Sequence, residues 1–197
     1  MKMLVGLLIT ALYTVFVQNL VLSSGLGISE AIRVSTKPGS FGKIALTISG
    51  FSVVTSAICS LLNSFTAVAS FSFAGKAATY GLVLAGVYLI VATFMKLVFK
   101  VSDKELGTMG IAALNTLVFA IPLINSSAAY TFINSIGSGI GAGVAFVFAA
   151  ALISKGSQAI NANKEVPAIF QGTPSLLIYV GLLSLAFAGF TDSTLFS

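Results

Sequence analysis

The charged residues of the chain are few and clustered, and they leave five long stretches without any charge. These stretches cover residues 3–29, 44–75, 77–95, 106–154 and 166–191. A helix needs about 20 apolar residues to cross the hydrocarbon core of a bilayer. Because the stretch 106–154 is long enough for two crossings, the pattern predicts an all-α integral membrane protein with six transmembrane helices.

The six predicted helices lie near residues 3–31, 43–63, 76–99, 106–133, 136–154 and 174–191. The first begins after Lys2, as a signal peptide would. Its apolar run continues to Leu22 without a cleavage site of small residues, which favours a retained helix. Residues 1–197 then form a single membrane domain.

Composition excludes the main soluble classes of protein. Only 8% of the residues are charged and 57% are hydrophobic, whereas a soluble domain carries about 25% charged residues. The net charge of +5 is not concentrated in a dense basic patch, so we expect no nucleic-acid partner. The chain has no histidine and one cysteine, Cys59, which excludes histidine-based catalysis and an internal disulfide.

The distribution of basic residues predicts the orientation in the membrane. Six spans place eight basic residues on one side and only two on the other. The first set is Arg33, Lys37, Lys43, Lys96, Lys100, Lys104, Lys155 and Lys164, and the second is Lys2 and Lys76. Since basic loops remain in the cytoplasm, both termini are predicted to be extracytoplasmic.

Two segments of the chain resemble each other and predict an internal repeat. Residues 15–24 match residues 118–127 at five of ten positions, at a constant offset of 103. Each segment lies in the first span of a set of three, within the halves 1–100 and 101–197. An odd number of spans per half means that the second half is inverted relative to the first.

Polar or helix-breaking residues interrupt the first span of both halves. We select Gln18 and Asn19 in the first half, and Pro122, Asn125 and Ser126 in the second, as candidate ion-path or broken-helix residues. Paired interruptions in inverted halves are typical of membrane binding sites. The alternative is that Pro122 only kinks a helix and the serines bond back to carbonyls of their own helix.

Glu30 is the only acidic residue near an interruption. A carboxylate close to the membrane interior is costly unless it is paired or functional. Glu30 is therefore a candidate to gate a cation or to pair with Arg33, three residues later. The alternative is a solvated charge in a loop.

The segment of residues 137–143 (GSGIGAG) partly mimics a nucleotide-binding fingerprint. It follows no strand and lies inside an apolar stretch, so the small residues instead predict close helix–helix contact.

Five segments carry a resemblance to a known family. They are residues 17–22 (VQNLVL), 26–29 (LGIS), 121–124 (IPLI), 166–172 (VPAIFQG) and 181–190 (GLLSLAFAGF). The corresponding family patterns are V-N-N-F-V-L, L-G-L-C, L-P-L-I followed by T-T-N-C, V-P-x-x-F-x-G and G-L-x-S-L-A-F-x-G-F. Because these segments follow one another in the same order as the family patterns, the chain resembles the membrane subunits of the Rnf complex and of the sodium-pumping quinone reductase (RnfA, RnfE, NqrD and NqrE). RnfA is the most similar of these.

The resemblance implies six helices in two inverted halves, and a homologous partner subunit of opposite orientation. In the family, each subunit of such a pair supplies two cysteines to an iron–sulfur centre. Electrons pass through this centre between flavin-bearing (FMN) subunits, coupled to ion movement across the bacterial cell membrane.

The chain departs from the family at both cysteine positions. Ser29 stands at the first and Ala128 at the second. Iron in such clusters is held by thiolates, with imidazole as the main substitute, and Cys59 lies outside the motif. We therefore expect this chain alone to bind no metal or cofactor.

Two functional hypotheses follow from the sequence. The first is a non-catalytic membrane subunit of an Rnf/Nqr-like, ion-translocating electron transport complex. The second is the six-helix subunit of a small-molecule uptake transporter of the vitamin type, which fits the size, the number of spans and the loss of the cysteines. The family-specific segments after residue 165 favour the first.

Overall fold

The computed structural model describes residues 2–36 and 38–191, and this part of the chain is helical, with no strand. Its α-helices are α1 (Lys2–Tyr13), α2 (Leu20–Ser23), α3 (Ile28–Thr36), α4 (Phe41–Asn63), α5 (Thr66–Ala69), α6 (Phe73–Phe99), α7 (Asp103–Ala113), α8 (Thr116–Ser127), α9 (Phe132–Ala162) and α10 (Thr173–Thr191). A π-helical segment (Thr14–Gln18) joins α1 to α2, and 3₁₀ turns lie at Pro38–Ser40 and Ala168–Phe170.

Five helical segments are long and apolar enough to cross a membrane, namely Met3–Ser23, Phe41–Asn63, Phe73–Phe99, Asp103–Ser127 and Phe132–Ala162. A shorter apolar helix, Thr173–Gly189, coincides with the sixth predicted span. The prediction of an all-α membrane protein with six helices is therefore confirmed.

The fifth predicted span is too short at both ends. We expected residues 136–154, but α9 has 31 residues and ends at Ala162. The helix continues past Lys155 because no residue there breaks it, and it ends where Asn163 adopts an extended conformation (φ −82°, ψ 113°). The predicted span ends at the last residue before a charge, whereas the helix itself continues until the backbone conformation changes.

The long helix α9 is the centre of the fold, and its glycines allow the backbones of two neighbouring helices to approach. A β-carbon at Gly137 would lie 2.5 Å from the carbonyl oxygen of Leu7, and one at Gly141 would lie 2.6 Å from that of Ala11. Both contacts advance in the same direction along the two helices. Consequently α1 runs parallel to α9.

On another face, α9 packs antiparallel against α4. A β-carbon at Gly139 would lie 2.8 Å from the α-carbon of Val53 and 2.9 Å from the carbonyl oxygen of Ser52. Gly143, further along α9, contacts Ser49, which precedes Ser52 on α4. The prediction that the small residues serve helix packing is confirmed.

Two ion pairs connect helix ends on one side of the bundle. The ammonium of Lys43, near the start of α4, lies 2.9 Å from the carboxylate of Glu105 on α7. Lys96, near the end of α6, lies 2.7 Å from Asp103 at the start of α7. All four residues belong to the side for which the sequence predicts an excess of basic residues.

Replacing a glycine of α9 tests the close packing. We expect G139A to lower thermal stability, because the added methyl group meets the backbone of α4 at less than 3 Å. The matched control is G86A on α6, where an added β-carbon meets nothing within 4 Å. There, alanine should stabilise the helix by about 0.5–1 kcal/mol. Melting temperatures of the purified proteins in detergent measure both effects, and equal shifts would contradict the assigned contact.

Candidate functional site

The first transmembrane segment is broken at Asn19, which is completely buried. Its backbone leaves the helical region (φ 13°, ψ 69°), and its side chain takes the place of the lost helical bonds. Oδ1 accepts from the backbone N–H of Leu22 at 3.3 Å, and Nδ2 donates to the carbonyl of Val15 at 3.0 Å. The polar residue predicted here is therefore the structural centre of the break.

The residues around Asn19 complete the first break. The Ser23 hydroxyl donates to the carbonyl of Gln18 at 2.7 Å. The Gln18 side chain is half-buried, and its Oε1 has no hydrogen-bond partner among the described residues. Gly25 and Gly27 then adopt positive φ (70° and 77°) and turn the chain into α3.

The second break lies at Leu114 and Asn115, between α7 and α8. Asn115 is buried, and its Oδ1 accepts from the backbone N–H groups of Leu117 (2.8 Å) and Val118 (3.1 Å). This is an N-cap, in which a side-chain oxygen satisfies the first donors of a helix. It has the same chemistry as the Asn19 cap on α2.

The predicted location of the second break was wrong. We expected it between Pro122 and Ser126, but α8 passes through Pro122 without interruption and ends at Ser127. Proline removes a single donor, the bond to the carbonyl four residues earlier. Pro122 is buried, and a transmembrane helix tolerates a proline where the neighbouring protein compensates. The alternative interpretation, in which Pro122 lies within a helix and does not interrupt it, is thus the observed one.

The two breaks touch each other. The backbone N–H of Gly27 donates to the hydroxyl of Thr116, the first residue of α8, at 3.0 Å. A β-carbon at Gly27 would lie only 3.0 Å from that of Leu117. Gly27 therefore has to be glycine for its positive φ and also for this close contact.

Asn125 and Ser126 lie near the other end of α8, away from the breaks. Asn125 is buried, and its Nδ2 reaches the carbonyl of Ser135 at 3.5 Å. The hydroxyl of Ser126 accepts from the ammonium of Lys76 at 3.0 Å and lies 3.4 Å from Oδ1 of Asn63. The side chain of Ser126 thus bonds to residues of other helices. The alternative interpretation, in which the serines bond back to carbonyls of their own helix, does not hold for Ser126.

Glu30 lies in the first turn of α3 and is only 6% exposed. Its Oε2 is 2.6 Å from Nη2 of Arg33, one helical turn later, and the Arg33 side chain is 33% exposed. The predicted pairing with Arg33 is confirmed, and the alternative of a solvated loop charge is wrong.

The resemblance assigns the family cysteines to positions 29 and 128, and the structure places these two positions in different parts of the bundle. Ser29 is exposed in α3, and α3 leads within a few residues into the start of α4. Ala128 is exposed just after α8, beside Ser126 and hence close to Asn63 at the end of α4. Ser29 follows Gly27, which contacts the first residue of α8, whereas Ala128 follows the last residue of α8. A helix of 12 residues spans roughly 18 Å.

The donor atoms at these positions do not fit an iron–sulfur cluster. The side chains at positions 29 and 128 offer a hydroxyl and a methyl group, whereas iron in such a cluster is held by thiolates. Among the described residues, no three His, Cys, Asp or Glu side chains come together as a metal site. Cys59 is buried in α4, at a position that belongs to neither motif.

Sequence reasoning missed Asn115, Thr116, Lys76 and Asn63. The signal for Asn115 was present, since asparagine immediately before an apolar run is typical of a helix N-cap. No local signal indicates Lys76, because its partner Ser126 lies 50 residues away in the chain.

A multi-pass helical membrane protein with two contacting helix breaks in its core is the class that these observations define. The model of a family described as "Rnf-Nqr subunit, membrane protein" matches residues 7–193. The chain therefore belongs to the Rnf-Nqr family of membrane subunits.

Curated relatives match over almost their whole length. One of the subunits of the Na(+)-translocating ferredoxin:NAD(+) oxidoreductase complex of Acetobacterium woodii is 29% identical, with 92% of this chain and 94% of the relative covered. Corresponding subunits of ion-translocating oxidoreductase complexes are 31% identical in Azoarcus sp. (95% and 97% covered) and 32% identical in Aliivibrio salmonicida (90% and 92%).

Substitutions at Glu30 and Arg33 test their buried pair. We expect R33Q to lower the free energy of unfolding by about 3 kcal/mol, because it leaves a buried carboxylate without this partner. E30Q should cost less, because the Arg33 side chain is one-third exposed. The double variant E30Q/R33Q should be more stable than R33Q alone.

The exposed ion pair between Lys96 and Asp103 is the matched control. Its side chains are 60% and 84% exposed, and such pairs contribute about 0–1 kcal/mol. The control variant is K96Q, which removes the charge of Lys96. Denaturant unfolding in detergent gives the free energy of unfolding of R33Q, E30Q, E30Q/R33Q and K96Q. If R33Q and K96Q lower it equally, the Glu30 carboxylate is not buried as the structure has it.

Proposed function

We propose that the chain is the RnfA-type membrane subunit of an ion-translocating electron transport complex. The observation that carries this proposal is the family match over residues 7–193, together with relatives named as subunits of such complexes that align over more than nine-tenths of both chains. The uptake-transporter hypothesis has no comparable support.

Within the complex, this protein serves as a scaffold and holds no redox centre of its own. Ser29 and Ala128 offer no thiolate, and they lie toward opposite ends of α8, so this chain lacks both the chemistry and the local geometry of a cluster site. Electrons therefore pass through centres that other subunits bind.

The proposed partners are flavin-bearing subunits and a homologous six-helix membrane subunit. The exposed apolar surface of α6 supports a protein or lipid neighbour along this helix. Leu82, Ile90 and Leu97 are each more than 70% exposed, and exposed apolar patches mark membrane or protein interaction sites.

Purification through a tag on this chain tests the role. We expect flavin-bearing subunits and a second six-helix subunit to co-purify, and recovery of the chain alone at stoichiometric purity would contradict the proposal.

We also expect the iron content and visible spectrum of the complex to be unchanged in S29A, because Ser29 holds no iron. In S29C/A128C the iron content should not rise, since the two positions do not meet. Loss of iron in S29A would show that position 29 is a ligand.

We also propose two inverted repeats, residues 1–100 and 101–197, with both termini extracytoplasmic. The directions of the helices support the inversion of the second half. Because α1 runs parallel to α9 and α9 antiparallel to α4, α1 starts on the side where α4 ends, near Lys76. By contrast, α7 starts on the opposite side, where Asp103 pairs with Lys96.

Reporter fusions test the orientation. Alkaline phosphatase, which is active only outside the cytoplasm, should be active when fused to either terminus. Green fluorescent protein fused after Lys100 should fluoresce, because this loop carries the basic residues that remain in the cytoplasm. The opposite pattern would overturn the orientation and leave the role in the complex untouched.

A further inference from the structure

A small cavity lies between α4, α6, α8 and α9, away from the two breaks. Its volume is about 10 Å³. The residues lining it are unusually polar for a membrane bundle, and they include Ser56, Asn63, Tyr80, Asn125 and Ser135.

Three of the lining side chains are buried and lack a hydrogen-bond partner among the described residues. These are Asn125 through Oδ1, Ser135 through Oγ and Ser56 through Oγ. Their residues are only 4%, 1% and 1% exposed. An unpaired buried polar group costs on the order of 1–3 kcal/mol, so three of them around one cavity call for an additional partner.

Other hydroxyls of the protein show that this lack of partners is not general. Thr10, Thr14 and Ser49 donate to the carbonyl four residues earlier, at 2.8–2.9 Å. Such bonds are the usual solution for serine and threonine inside a helix. Ser56 and Ser135 make no such bond, and their oxygens remain available to a molecule in the cavity.

The size of the cavity limits what it can hold. A bound water needs a cavity of roughly 10–15 Å³ and two to four polar partners. The cavity meets both conditions for a single water molecule, with Asn125 as an acceptor and the two serine hydroxyls as donors or acceptors.

The charges around the cavity favour a neutral ligand over a metal ion. Among the described lining residues, none carries a carboxylate. The ammonium of Lys76 bonds to the lining residue Ser126 at 3.0 Å. A second cation would therefore be repelled and would have no counter-charge.

We propose that this cavity binds one ordered water molecule, held by Ser56, Asn125 and Ser135, and that water enters it from the Lys76 end of the bundle. The partly exposed Ser126 and Tyr130 form the wall at this end. The water site lies on the opposite side of the bundle from the Lys43–Glu105 pair. The water molecule bridges α4 and α9, because Ser56 belongs to α4 and Ser135 to α9.

Further unpaired hydroxyls continue from the cavity into the bundle. Ser52 and Thr55 on α4 and Ser138 on α9 are completely buried and have no hydrogen-bond partner among the described residues. Ser52 and Ser138 lie where Gly139 brings the two backbones together. The bound water is therefore the outermost member of a polar row that extends toward the middle of the bundle.

Cys59 provides a reporter, because it lines the cavity and is the only cysteine of the chain. Its S–H stretching band can be isolated in infrared spectra of the membrane-embedded protein, as the difference from C59S. On transfer to D₂O, the S–H group exchanges to S–D only where water reaches it. We expect exchange at least about tenfold faster than for a thiol in a dry part of the core.

The dry control is C59S/A149C, since Ala149 is completely buried in the apolar core. C59S/A112C, at another completely buried alanine, replaces it if the first control gives poor yield. In S56A/S135A two of the three proposed water ligands are removed, and Asn125 alone offers fewer than the two to four polar partners that a bound water needs. We therefore expect exchange at Cys59 to slow by about tenfold.

Exchange of Cys59 at the rate of the dry control would overturn the proposal, as would an unchanged rate in S56A/S135A. A comparison of sodium and choline salts identifies the occupant. Equal rates support water, whereas slower exchange in sodium would show that a metal ion occupies the cavity instead.

Discussion

The fold depends on one constraint, namely that backbone N–H and C=O groups inside a membrane have to be paired within the protein. Continuous helices satisfy it automatically, and each break in a helix needs replacement partners. Asn19 and Asn115 provide these, because each is buried and caps the helix that follows it. The hydrogen bond from Gly27 to Thr116 then fixes the two breaks against each other.

A second constraint follows from the scarcity of apolar driving force between helices in lipid. Helices associate there through close packing and hydrogen bonds across the interface. The glycines of α9 provide the first with α1 and α4. The contact of Lys76 with Ser126, and of Ser126 with Asn63, provides the second among α6, α8 and α4.

The overall fold could be predicted from the sequence because the distribution of charge along the chain reflects the requirements of lipid directly. The break at Asn19 was predicted for the same reason, since its polar neighbours stand out in an apolar run. The break at Asn115 was missed because proline was taken as a stronger signal than an asparagine cap. A single missing donor at Pro122 disturbs a buried helix less than the capped change of backbone direction at Asn115.

The burial of side chains and the contacts between residues distant in the chain could not be predicted from the sequence. The spacing of Glu30 and Arg33 predicts their pairing, but only the packing of α3 against its neighbours leaves Glu30 no more than 6% exposed. Likewise, the partners of Ser126 come from α4 and α6, 63 and 50 residues away, and no local pattern encodes such distances.

With serine at position 29 and alanine at position 128, the protein still has a polar interior. Thiolates that bind iron demand a fixed arrangement of four ligands, whereas asparagine and serine can pair with backbone groups or with water. In this chain the buried polar residues are of the second kind. Asn19 and Asn115 stabilise the breaks, while Asn125 and Ser135 face the cavity. A member of this family can thus keep the architecture of broken helices, since that architecture rests on caps and close packing rather than on a metal centre.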